Sequence, residues 1–151
     1  MAPELGDPDD GAQLRAVAES QPPFAQFVGM RLVSFRRDEV VGELHLAPEL
    51  GNRNGVLHGG VIMAFADNLG GTAASLNLPA GTRTTTLESK TNFLRAIPLG
   101  QTLRGVCAPL HRGRRTSVWQ TTVSDETGRR HADPARGPAG PVRNPALTLR
   151  V

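Results

Sequence analysis

Tyrosine is absent from the 151 residues, and cysteine, lysine and tryptophan occur once each, as Cys107, Lys90 and Trp119. A lone cysteine cannot close an intrachain disulfide, so the fold must rest on its core, and a reducing compartment is expected. No apolar run approaches the roughly 18 residues of a membrane span; the best candidate, Val61 to Ala66, is broken by Asp67 and Asn68. The opening MAPELGDPDDGAQ is acidic and lacks the apolar centre of a secretory signal, so a cytoplasmic location is expected. The four histidines, His45, His58, His111 and His131, show no metal-ligand spacing, and no metal is expected.

Positive charge is carried almost wholly by arginine, yet the net charge is only +3. The segment from His111 onward holds eight arginines against three acids. Such a basic end can serve nucleic acid, but here it has neither interleaved aromatics nor a recognisable motif, so no nucleic-acid partner is expected.

One domain suits the length. Residues 1–23 read as an acidic, disordered start followed by a short helix over Gln13 to Ser20, stopped by Pro22-Pro23. Phe24, Phe27 and Met30 read as apolar anchors onto the domain. Strands are expected over Arg31 to Arg37 and Val40 to Ala47, then over Thr84 to Leu94, Gln101 to His111 and Arg114 to Ser124. Arg112-Gly113 and Asp125 to Gly128 are hairpin signals. Between the two sets of strands lies NRNGVLHGGVIMAFADNLGGTAASL, Asn52 to Leu76. A helix starting near Gly60 carries apolar or small residues on every face, which reads as a buried helix. Asp67 sits within it, flanked at helical spacing by Ala64, Gly70 and Gly71. Asp is a poor mid-helix residue, and a carboxylate without a partner is costly to bury, so Asp67 reads as a site.

Hairpin, central helix, then antiparallel meander is an α+β plan in which the sheet must wrap the helix. From Phe24 to Arg130 the chain resembles the hotdog-fold acyl-CoA thioesterases of the phenylacetate-degradation type. The resemblance is carried in order by Asn-x-x-Gly-x-x-His-Gly-Gly at Asn52 to Gly60, Ala66-Asp67, Thr-x-Glu at Thr86 to Glu88, Asn-Phe-Leu-Arg at Asn92 to Arg95, and Gly113-Arg114. Each motif alone is weak; the ordered set is specific.

The resemblance implies hydrolysis of an acyl- or aryl-CoA thioester, with coenzyme A as part of the substrate and no further cofactor. Asp67 matches the catalytic carboxylate, acting as general base on water or as nucleophile. The Gly60 N–H is expected to hydrogen-bond the developing oxyanion, with Gly59 permitting close approach to the helix N-terminus. His58 orients the loop or the thioester, or else simply satisfies loop backbone. Asn52 helps hold the site, or is a turn asparagine. Thr86 positions the lytic water, or is an ordinary strand residue. Arg95, Arg112 and Arg114 form a candidate patch for the coenzyme A phosphates, against the plain alternative of a solvated turn. The resemblance further implies a homodimer, with Asp67 of one subunit facing the His58–Gly60 loop of the other, and pairing of dimers into tetramers.

The sequence departs from the family after Gly128. An apolar strand is expected there, but Arg129 to Ala132 only begins one, and residues 133–151 form an irregular tail rich in proline and glycine. Only Ala146 to Val151 regains strand character. A missing strand would leave backbone groups and helix surface uncovered. Residues 24–132 are therefore taken as the hotdog domain. Two other functions remain open at this point: a hotdog hydratase or dehydratase, which would need a catalytic His paired with an acid, and a non-catalytic acyl-CoA-binding module.

Overall fold

The computed structural model describes residues 19–79, 82–128, 130–132 and 146–150. The expected helix over Gln13 to Ser20 and the irregular segment 133–145 lie mainly outside them. A five-residue helix, α1 (Pro23–Phe27), leads into β1 (Met30–Phe35) and β2 (Val40–His45). The long helix α2 (Gly59–Ser75) follows, and then β3 (Thr84–Glu88), β4 (Thr102–Arg112), β5 (Thr116–Ser124), β6 (Arg130–Ala132) and β7 (Ala146–Arg150). All pairings between these strands are antiparallel, in the order β1-β2-β4-β5-β7-β3, with β6 also against β5. One sheet wrapped on one long helix is the expected α+β hotdog plan.

The strand interrupted in sequence is completed in space. β6 lies beside Val123 and Ser124 of β5, and β7 lies farther along the same edge, beside Thr116 to Trp119. Ala132 faces Val123 and Ala146 faces Trp119, four residues on, so the thirteen residues 133–145 intervene where three would keep the register. The segment Ala146–Arg150 thus fills the position left open by the proline- and glycine-rich stretch and connects β5 to β3. β3 is five residues long, not the eleven of Thr84 to Leu94, and its residues are exposed or half-buried along its length.

The helix docks through a glycine seat. Gly42 of β2 and Gly105 of β4 face each other in register. A Cβ at Gly42 would stand 2.8 Å from Leu69 Cδ2, and one at Gly105 would stand 2.6 Å from Leu69 Cδ1 and 2.8 Å from Phe65 Cε1. Real side chains do not tolerate such contacts, so only paired glycines let Phe65 and Leu69 approach the sheet this closely. Leu44, Leu46, Leu103, Val123 and Trp119 complete the core around them.

Two expectations are corrected. The helix is not covered on every face: Ile62, Phe65, Leu69 and Ala73 bury one stripe, whereas Met63 is 38% exposed and Asp67 is half-buried. Its residues are apolar or small all round, but a single sheet can cover only one side of a cylinder. Nor do Phe24 and Phe27 anchor the chain. They stack on each other with centroids 6.4 Å apart and remain exposed, while Ala25, Val28 and Met30 are buried. Within the short helix Phe24 and Phe27 lie on one side, and Ala25 faces inward.

Candidate active site

The loop before α2 is held at both ends. Asn52 N–H donates to Val56 O at 2.7 Å, Gly55 N–H to Asn52 O at 3.0 Å, and Asn54 N–H to Asn52 Oδ1 at 2.8 Å. Gly55 takes φ +74°, a conformation that favours glycine. Asn52 therefore closes the turn with its own side chain and shapes the loop before the helix. The loop is then pinned by His58 N–H to Leu50 O and Leu57 N–H to Ile97 O, both 2.9 Å.

His58 is the N-cap of α2, and its Nδ1 accepts from Gly60 N–H at 2.9 Å. Its carbonyl accepts from Val61 N–H at 3.0 Å. In the neutral ring an accepting Nδ1 places the proton on Nε2. This arrangement bears on which of the two glycine N–H groups is open to an oxyanion. Gly60 N–H is already engaged by His58, whereas Gly59 N–H has no hydrogen-bond partner among the described residues. The first helical N–H groups have no intrahelical acceptor, and the positive end of the helix dipole lies there. Gly59, assigned above only to close approach, presents the available donor.

Eight residues further along the helix, Asp67 Oδ1 accepts from Thr86 Oγ1 of β3 at 3.0 Å. The structure thus brings Asp67 and Thr86 together on the uncovered side of the helix. Eight helical residues span about 12 Å, so within one chain Asp67 and Gly59 N–H cannot meet at one carbonyl carbon. Next to Asp67, Asn68 Nδ2 donates to Gln21 Oε1 at 2.9 Å, which ties the segment before α1 to the helix. Sequence reasoning missed Gln21, and a contact spanning 47 residues leaves no local signal.

The arginines separate. Arg112 Nη1 donates to Asn77 Oδ1 at 3.0 Å and to Arg37 O at 3.1 Å, and its guanidinium lies 6.0 Å from the Trp119 ring centroid. Asn77 Nδ2 in turn donates to Arg37 O and Ala73 O, both 2.8 Å. Arg112 is thereby a clasp joining the β4–β5 hairpin, the β1–β2 turn and the C-terminal end of α2, where a cation also complements the helix dipole. Arg95 lies near the opposite end, two residues before the Ile97 carbonyl that holds Leu57. The 17-residue helix puts about 25 Å between those ends, so one chain does not gather Arg95 with Arg112 and Arg114. Replacing Asn77 with Ala should lower unfolding stability by about 1–2 kcal/mol, measured by urea titration. An unchanged midpoint would mean that the clasp contributes nothing.

Burial pushes the Cys107 thiol up to about 11, against the lowering effect of its bond with Thr121, so it stays protonated at neutral pH and offers no competing nucleophile.

One antiparallel sheet wrapped on one long helix, among the described residues, is the plan of the hotdog-fold thioesterases. Residues 54–132 match the model of the thioesterase superfamily, and the chain belongs to that family. A Mycobacterium tuberculosis protein whose name presents it as a candidate esterase is 32% identical over 125 residues, covering 81% of this chain and 86% of that protein. Its solved structure overlays with a TM-score of 0.73 at 28% identity, over 85% of this chain and 95% of that one. The 1,4-dihydroxy-2-naphthoyl-CoA hydrolase of Escherichia coli is 40% identical over 75 residues, covering 50% of this chain and 54% of the hydrolase. The PaaI protein of the Escherichia coli phenylacetic acid degradation operon overlays with a TM-score of 0.77 over 93% of this chain and 92% of that one. At 18% identity that likeness speaks for the fold alone.

Proposed function

We propose that the protein hydrolyses the thioester of an acyl- or aryl-CoA to a free acid and coenzyme A, with Asp67 as general base or nucleophile. The observation that carries this reading is the Asp67–Thr86 pair on the uncovered helix face of a thioesterase-superfamily chain. Along the first route Asp67 takes a proton from water, whose oxygen attacks the thioester carbon. The tetrahedral oxyanion is stabilised by Gly59 N–H and the helix dipole, and the proton returns to the departing sulfur. Along the second, Asp67 attacks the same carbon, the thiolate leaves, and water cleaves the resulting anhydride. Thr86 holds the carboxylate in either case. His58 secures the Gly60 N–H and leaves the Gly59 N–H free to donate.

The working site is composed of two chains. Gly59 and Asp67 of one helix are too far apart, but a two-fold axis near their midpoint would set each Gly59 against the partner's Asp67. That midpoint is Met63, an exposed apolar residue about one turn into the helix, and β3 is an exposed edge ready to pair with its own copy. The same antiparallel arrangement brings the Arg95 end of one chain towards the Arg114 end of the other, a setting suited to the phosphates of coenzyme A. Pairing of such dimers into tetramers would leave the site unaltered; the reading requires the dimer alone.

The name of the Escherichia coli hydrolase speaks for aryl-CoA among the substrates. Purified protein given a panel of acetyl-, long-chain acyl- and benzoyl-CoA should release thiol, followed with a thiol reagent. Tight binding of the panel without release would make the protein a binding module, and hydration of an enoyl-CoA instead would make it a hydratase.

A further inference from the structure

Phe93 lies outside every role assigned so far. Its segment is held beside the helix start, because Leu57 N–H donates to Ile97 O at 2.9 Å and Val56 bridges Pro98. That restraint lays the Phe93 ring on Gly59: a Cβ there would stand 3.2 Å from Phe93 Cζ and 3.3 Å from Cε1. Yet the ring is 51% exposed, so the part that does not touch Gly59 is open. The adjoining Asn92 has its side-chain nitrogen buried with no acceptor among the described residues. Local structure thus carries an unmet hydrogen bond while holding an aromatic ring half in solvent. Such uncompensated features persist where function requires them.

We infer that Phe93 is a specificity-determining residue, the wall against which the acyl group packs when its thioester oxygen is bound at Gly59 N–H. This inference rests on the thioesterase reading above. A carbonyl held by Gly59 N–H places its acyl substituent within a few ångströms of the ring, where an aryl or long alkyl group gains apolar contact and an acetyl group gains almost none. The substrate class is therefore an apolar, aromatic or extended acyl thioester. Gly59 serves two purposes: it offers its N–H, and its lack of a side chain lets the ring sit beside that donor.

The test measures kcat/KM for benzoyl-CoA and acetyl-CoA with wild type, Phe93→Ala and Phe93→Leu, alongside melting temperature and oligomeric state. Phe93→Ala should lower kcat/KM for benzoyl-CoA by about tenfold or more, leave acetyl-CoA within about threefold, and leave fold and assembly unchanged. Phe93→Leu should fall between. In a second measurement Gly59→Ala should cost less activity towards acetyl-CoA in the Phe93→Ala background than alone, because the ring it would meet is gone. An unchanged benzoyl-to-acetyl ratio in an active enzyme would overturn the role of Phe93 and leave the thioesterase reading intact. Loss of the dimer in both Phe93 variants would also overturn it, since the ring would then be packing against a partner chain. A wild type that releases coenzyme A from no thioester would overturn both.

Discussion

Asp67→Asn should lower kcat by about 10²–10⁴-fold while KM stays within a factor of a few. Asparagine keeps the size of the side chain, and its Oδ1 can still accept from Thr86 Oγ1, the bond that measures 3.0 Å in the native chain. The helix should therefore remain folded on Phe65 and Leu69, and substrate should still bind. What is lost is the capacity to take a proton from water or to attack the thioester carbon. Both chemical routes fail together, so the variant tests the carboxylate without choosing between them. Its position makes the test clean: Asp67 is only half-buried and lies away from the Ile62, Phe65, Leu69 stripe, so no buried charge is removed from the core. A loss of less than tenfold would remove Asp67 from the chemistry and leave it as a helix partner for β3.

Most of the fold was legible because its signals are local. Strand alternation, the Gly113 and Gly128 turns and the apolar run after His58 each lie within a few residues, and the ordered motifs gave the hotdog plan. Of the candidate site, the sequence named the residues that the structure pairs, Asp67 with Thr86 and His58 with Gly60. Which of Gly59 and Gly60 keeps a free N–H was not legible, since it turns on which one the His58 ring occupies, a matter of cap geometry at 2.9 Å. The glycine seat also escaped notice. Gly42 and Gly105 are 63 residues apart in sequence, and only the β2–β4 register makes them neighbours. The clasp of Arg112 was hidden for the same reason: its partners Asn77 and Arg37 lie 35 and 75 residues away. The uncovered face of α2 was hidden by composition, because Met63 and Ala64 read as core residues until the reach of one sheet is known.

Mixing two inactive variants should restore activity. One is Asp67→Asn, which keeps its Gly59 N–H; the other is Gly59→Val, which keeps its carboxylate. Valine at position 59 would drive its side chain into the Phe93 ring, 3.2 Å from where the Cβ would fall, and crowd the donor beside it. Each homodimer of either variant has both sites broken. A mixed dimer built around a two-fold axis has one site broken twice and one site wholly intact, made from the Gly59 of the first chain and the Asp67 of the second. Random exchange of equal amounts makes about half of all dimers mixed, each with one working site of two, so about a quarter of wild-type activity should return. Exchange should be driven by brief denaturation and refolding and verified with differently tagged chains. A site contained within one chain predicts no recovery, because no chain in the mixture carries both groups. The roughly 12 Å that separates them along a single helix makes recovery the expected result, and proven exchange without it would refute the two-chain site.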